Sequence, residues 1–569
     1  MTTNENVYAA IERRYPGDLD EVCIETHEGL TYSWRDLHLA SGCIASWLGS
    51  LKLKHGDRVA VQVEKSPECL MLYLATLRAG LVYVPLNTAY QLAELDYFLR
   101  DAEPAVVVCT PPRLSEIEAI ARGARCRHVV TLGEQRDGTL LTAAAAFSSG
   151  FDTVQRAADD LAAILYTSGT TGRSKGAMLS HGNLTSNAVT LDRFWGFEAV
   201  RDAGKRDVLL HALPLFHVHG LFVASHAALF GGAKMLMLPR FDVAQVLERM
   251  PRSTVMMGVP TFYTRLLGEP TFNREHCRSM RLFIAGSAPL LAETHQQFEQ
   301  RTGHRILERY GMSETLMLVS NPYFESDGAR LAGTVGVPLP GVGVRVVDDN
   351  DKRCPVGEIG AVQVSGPNVF SGYWRMPDKT KDEFTADGWF RTGDIGHFGG
   401  CDVPERYLTL VGRSKDLIIS GGYNVYPKEI EGYIDEMPDV DESAVIGVPH
   451  PDFGEAVVAV VVGKNGVGLA PTALVDALKG RIANYKVPKR VFIAEQLQRN
   501  TMGKVQKKRV ARALCGGLRS RSRGWRQLVI RAGCCAEVNA YGGRSIATLF
   551  ESRGGIASTA SMKPVLPLV

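Results

Sequence analysis

No run of about 18 apolar residues occurs in the chain, so its sequence offers no helix able to cross a bilayer. No Cys-x-x-Cys pair occurs, which removes support for a zinc ribbon or a thioredoxin-like site. The 11 cysteines are scattered singly, apart from the neighbours Cys534 and Cys535. An odd number of dispersed thiols fits a reducing compartment better than a disulfide framework. An excess of one charge is lacking too. The 64 basic and 61 acidic residues leave a formal charge of +3, with no global pull toward nucleic acid or anionic membrane. The opening MTTNENVYAAIERRYP has no apolar leader core, and the expected location is cytoplasmic. The sequon Asn183-Leu184-Thr185 is then a chance match. Internal repeats and low-complexity blocks are also missing.

What is present is an ordinary globular composition, 45% hydrophobic and 22% charged over 569 residues. That length corresponds to about three to four structural units. From residue 21 to about 240, short apolar runs alternate with helical patterns. DRVAVQVEKS (57–66) reads as a strand and SPECLMLYLATLRAGL (66–81) as a helix. VYVPL (82–86), ELDYFLRDAE (94–103) and AVVVCT (105–110) continue the series. This order predicts α/β layers with a mostly parallel sheet. RLFIAGSAPL (281–290) repeats the theme, with a small-residue turn and a helix expected from about Pro289. Between about 333 and 410, Val, Gly and Pro dominate and predict a β-rich subdomain. HFGGCDVPERYLTLVGR (397–413) reads as irregular. A compact α+β stretch follows, with two strands in 443–463, a helix in 472–485 and a strand in 489–497.

The fold class is therefore α/β. A large N-terminal domain (1–413) carries mixed and parallel sheets flanked by helices, and a small α+β domain occupies 414–513. In 514–569 the chain holds eight basic and two acidic residues with poor hydrophobic periodicity. That composition predicts an extension without a packed core, or an out-of-frame read, rather than a basic arm.

The strongest local signal is YTSGTTGRSKG (166–176), which follows the apolar run LAAIL. Three glycines and five serine or threonine hydroxyls crowd this one stretch, with Lys175 near its end. Glycines let backbone N–H groups approach phosphate oxygens, and hydroxyls add donors. The spacing is neither a Walker A loop nor GxGxxG. His217 and His219 in PLFHVHG are one residue apart, but no third metal ligand follows at a known spacing.

The string YTSGTTGRSKGAMLSHGNL resembles the phosphate loop of the acyl-adenylate-forming enzymes, which include acyl-CoA synthetases, luciferase-like proteins and adenylation domains. PLFHVHG (214–220), RYGMSET (309–315), GYWRMPDKT (372–380), WFRTGD (389–394), GRSKDLIISGGYNVYPKEIE (412–431) and NTMGKVQK (500–507) resemble further motifs of that family, in its order. The likeness spans roughly residues 5–512. Within the family, RLFIAGSAPL, ERYGMSET and LQRNTMGKVQK look most like the malonyl-CoA synthetases.

The resemblance implies a two-step reaction. A carboxylate attacks the α-phosphate of ATP with Mg²⁺ present, giving acyl-AMP and diphosphate, and the thiol of CoA then displaces AMP. Malonate is the implied acid, with methylmalonate beside it. An aryl or fatty acid, or a carrier protein in place of CoA, are the alternatives. No nucleic acid or membrane is implied, and the chain is expected to be a monomer or a weak homo-oligomer. By resemblance, Lys504 bridges the attacking carboxylate and the α-phosphate. Thr167, Ser168, Gly169, Thr170, Thr171, Gly172 and Lys175 hold phosphates, and Glu314 with Thr171 holds the metal. Tyr310 stacks on adenine within a wall of Gly286, Ser287, Ala288, Gly311 and Ser313. Asp394 accepts from the ribose hydroxyls, and Arg413 meets the ribose or α-phosphate. His217 lies near the acyl group, while His219 is read as a packed structural histidine. Lys415 is the implied hinge of a swinging small domain, and Gly421, Gly422 and Tyr423 line a CoA channel. For selectivity, Arg281 and Ser287 are expected to meet the second carboxylate of malonate, since an arginine fork suits a carboxylate.

Overall fold

The structure, a computed structural model, describes residues 3–167, 174–288, 290–400, 402–420, 423–450, 454–464, 468–479, 481–499, 505–507 and 509–511. The expectations for Ser168, Gly169, Thr170, Thr171, Gly172, Gly421, Gly422, Lys504 and the 514–569 tail fall outside the described residues. Among the described residues, no helix is long and apolar enough to cross a membrane.

Two large sheets form the N-terminal body, and both are parallel at their centres. In the first, the order is His128–Thr131, Val106–Cys109, Arg58–Gln62, Val82–Pro85, Leu161–Thr167 and Lys175–Ser180, and only the last pair is antiparallel. In the second, a parallel run joins Leu307–Met312, Leu282–Ala285, Val255–Gly258, Val208–His211, Lys234–Met237 and Val22–Thr26, with antiparallel strands at both edges. Runs such as VVVC and LFIA are buried at every position, as strands covered on both faces must be. The helix Pro67–Arg78 is likewise buried along its whole length. Ser66 caps it by accepting from the Cys69 N–H at 3.1 Å, and Pro67 fills the first turn, where no N–H partner is needed.

The region 333–410 holds a four-stranded antiparallel sheet of Gly343–Val347, Gly360–Ser365, Phe390–Gly400 and Val403–Arg413. Here 397–400 and 403–413 lie in paired strands. They form most of a hairpin whose pairing shifts register at 395/396 and 398/400. The helix expected from Pro289 begins later, at Ala292–Thr302. Beyond the short turn Ser414–Asp416 comes a separate sheet of Ile418–Ser420, Tyr423–Val425, Val440–His450, Gly454–Gly463 and Arg490–Ala494, backed by the helices Pro427–Asp435 and Pro471–Lys479. The mixed α/β class with a small C-terminal α+β body is therefore observed.

Asn183 caps the helix His181–Phe194 jointly with Ser180. Its side-chain amide donates to the carbonyls of Pro367 and Val369 at 2.7 and 2.9 Å. A buried amide committed in this way leaves no room for a glycan.

Candidate active site

Several of the sequence-predicted residues gather at the carboxyl ends of parallel strands, where open α/β sheets bind ligands. Thr167 ends the strand Leu161–Thr167, Ser287 and Ala288 follow Leu282–Ala285, and Tyr310 and Gly311 lie in Leu307–Met312. His217 comes six residues after Val208–His211, and Ser313 and Glu314 form the turn that leads to Leu316–Ser320.

Charged and polar groups meet at Thr167 and Lys175, the facing ends of the strands Leu161–Thr167 and Lys175–Ser180. Thr167 Oγ1 donates to Glu314 Oε1 at 3.4 Å, and Tyr373 O–H donates to the same oxygen at 3.1 Å. Burial raises the Glu314 pKa, while Tyr373 and the charges of Lys175 and Arg413 oppose that shift. Lys175 Nζ pairs with Glu383 at 3.3 Å and sits 4.0 Å over the Tyr373 ring. No cluster of three or more metal-binding side chains occurs among the described residues. That donor set fits Mg²⁺, which is commonly held by one or two carboxylates together with substrate phosphates.

Tyr310 O–H donates to Asp394 Oδ2 at 2.6 Å, and Arg413 Nε pairs with Asp394 Oδ1 at 2.8 Å. Arg413 and Asp394 face each other directly across the hairpin register. The Asp394 carboxylate holds the Arg413 guanidinium above its ordinary pKa. A buried acid carrying a cation and a phenol at its two oxygens is a rigid rim beside Tyr310.

A second group, cationic and imidazole-lined, gathers at Ser287. His217 Nδ1 accepts from the His219 N–H at 3.2 Å, and His219 Nδ1 lies 3.3 Å from Ser287 Oγ. Ser287 adopts φ of 71°, a conformation that costs energy for a serine. Burial, then the charge of Arg309, pushes the His217 pKa down to about 4, and the same causes keep His219 neutral. Arg309 itself is only 3% exposed, and among the described residues neither its Nε nor one terminal nitrogen has a hydrogen-bond partner. A Cβ added at Gly286 would lie 2.4 Å from the Arg309 guanidinium carbon, so glycine is what lets the strand end approach it. Unpaired buried cations are costly and rare. Arg309 is the residue that motif reading missed, although an arginine inside the buried run LERYG was a visible signal.

The expectation for Arg281 is overturned. Its Nε and one terminal nitrogen donate to both oxygens of Asp207 at 2.8 and 2.6 Å, and the other nitrogen donates to the Trp195 carbonyl at 2.9 Å. Arg281 precedes the amino end of Leu282–Ala285, whereas Ser287 follows its carboxyl end. Six residues at about 3.3 Å each put them roughly 20 Å apart. Arg281 is a structural cation committed to a buried acid.

Lys415 sits within the turn Ser414–Asp416 between the two bodies, and Tyr423 opens the strand Tyr423–Val425.

Two family descriptions match the chain: "AMP-binding enzyme" over residues 11–374 and "AMP-binding enzyme C-terminal domain" over residues 429–504. A malonate–CoA ligase of Arabidopsis thaliana is 36% identical over 497 residues, covering 82% of this chain and 79% of its own length. A mitochondrial malonate–CoA ligase of Mus musculus is 35% identical over 525 residues, covering 85% and 87%. The crystal structure of ATP-bound MatB from Rhodopseudomonas palustris is 53% identical, with a TM-score of 0.86, covering 90% of this chain and 99% of that one. Matches of this extent, on a chain whose strand ends gather these groups, show that it belongs to the family of AMP-binding enzymes.

Proposed function

We propose that the chain is an ATP-dependent acid–thiol ligase that converts malonate, ATP and CoA to malonyl-CoA, AMP and diphosphate through malonyl-AMP. The observation that carries malonate is Arg309, a buried guanidinium with two nitrogens unpartnered among the described residues, packed against the strand end where Gly286 has no Cβ. A monocarboxylic fatty or aryl acid would leave that cation uncompensated. The second carboxylate of malonate would satisfy it through a fork, and Ser287 O–H adds a donor beside it. The two malonate–CoA ligases among the relatives support the same acid.

Each site residue then has a task. Asp394 accepts from the ribose hydroxyls, Arg413 screens the α-phosphate, and Tyr310 forms the adenine side of the rim. Lys175 and Thr167 flank the phosphate segment. Glu314 would hold Mg²⁺, which would screen the triphosphate charge. Neutral His217 and His219 leave Arg309 as the cation of the acyl wall. The ammonium of Lys504, brought in by the small domain, screens the two anions as they join, since charge neutralised where it develops lowers the barrier. CoA enters past Gly421, Gly422 and Tyr423, with motion about Lys415 between the half-reactions.

ATP–diphosphate exchange tests this with malonate, methylmalonate, a fatty acid and coumarate. Exchange led by malonate is expected. Faster exchange with the aryl or fatty acid would overturn the dicarboxylate reading.

A further inference from the structure

We propose that Tyr373 is a positioning residue that holds Glu314 and Lys175 together, coupling the metal-side carboxylate to the phosphate-side ammonium. The proposal rests on the ATP-dependent reading above. Tyr373 is 3% exposed and touches both groups: its O–H donates to Glu314 Oε1 at 3.1 Å, and its ring carries Lys175 Nζ 4.0 Å above it. Tyrosine offers an aromatic face for a cation and a phenol for a carboxylate at opposite parts of one rigid side chain. A phenylalanine would keep only the first.

The backbone shows that this placement is built. The segment 371–374 runs alongside Lys175–Ser180, the strand that leaves the phosphate segment. Met178 N–H donates to the Gly372 carbonyl at 3.0 Å, and Trp374 N–H donates to the Gly176 carbonyl at 2.7 Å. Tyr373 N–H donates to Thr380 Oγ1 at 2.9 Å, and Gly372 adopts φ of 131° where a Cβ would meet Thr380 at 2.5 Å. Phe370 packs edge-on against the ring at 4.9 Å. Tyr373 is thus fixed to the very strand that carries Lys175, while its hydroxyl reaches across to the turn that carries Glu314. A side chain present only to fill the core would need the ring and not the O–H.

Calorimetric titration of ATP, with no acid or CoA present, separates these roles. Tyr373→Phe is expected to weaken binding of ATP with Mg²⁺ by about 10- to 100-fold, the range for losing a hydrogen bond to a charged group. Its binding of ATP in EDTA should match the wild type, because Glu314 acts through the metal. Tyr373→Leu should weaken both, since Lys175 then loses its support. Wild-type affinity of Tyr373→Phe for ATP with Mg²⁺, or an equal loss in EDTA, would overturn the proposal alone. No binding and no exchange by the wild-type chain would overturn the ligase reading itself.

Discussion

Replacing Arg309 by methionine keeps the length of the side chain and removes its charge. Arg309 has at least two nitrogens without partners in a buried site, and burial pushes its pKa down to about 9, still protonated at neutral pH. A hydrogen bond to a charged group contributes about 1.5–3 kcal/mol, and each 1.4 kcal/mol is tenfold. Two bonds to the second carboxylate of malonate therefore correspond to a loss of about 100-fold or more in kcat/KM. The fold itself loses an uncompensated charge, so the thermal midpoint of Arg309→Met should hold or rise. Propionate, which lacks the second carboxylate, should be activated no worse than by the wild type. The assay is AMP release with each acid at matched concentrations, together with thermal unfolding. An unchanged malonate-to-propionate ratio would refute the assignment, whatever happened to the absolute rates.

Arg281→Ala should leave that ratio unchanged but destabilise the chain by about 3–5 kcal/mol in urea unfolding, because the buried Asp207 loses its paired guanidinium. Glu308, fully buried, has its pKa pushed up from 4.5 to about 7. Its folded pKa lies above its unfolded one, so its favourable contribution is complete below about pH 4.5 and is lost as pH rises through about 7. Glu308→Gln should therefore gain stability relative to the wild type between pH 5 and pH 8, on the order of 3 kcal/mol at most. A gap between the two unfolding curves that stays constant with pH would count against this. His217, His181 and His226 have pKa values pushed down to about 4, 4 and 3 by burial. The folded form then binds fewer protons than the unfolded one below about pH 6.5, and stability should fall as pH drops from there toward 4.

The sequence carried the α/β alternation well because strands such as Arg58–Gln62 and helices such as Pro67–Arg78 announce themselves by buried runs and a Ser-Pro start. It also brought Asp394 and Arg413 into one site, and the hairpin register explains how residues 19 apart come to face each other. The hairpin itself was illegible, because the register shifts near Gly396 and Gly400 break the alternation on which strand reading depends. The two arginines show a different limit. Arg281 and Arg309 both adjoin buried strands, and local pattern alone does not separate them. What separates them is Asp207, 74 residues before Arg281, which claims that guanidinium, whereas Arg309 has two nitrogens unpartnered among the described residues. Tyr373 was visible within GYW as a motif residue, but its two contacts depend on a strand and a turn far from it in sequence.

The most direct test is to incubate the purified chain with malonate, ATP, Mg²⁺ and CoA and to follow nucleotide and thioester together by chromatography and mass spectrometry. AMP and malonyl-CoA should appear in equal amounts. Formation of ADP instead of AMP, or AMP release that needs an aromatic or long-chain acid, would contradict it.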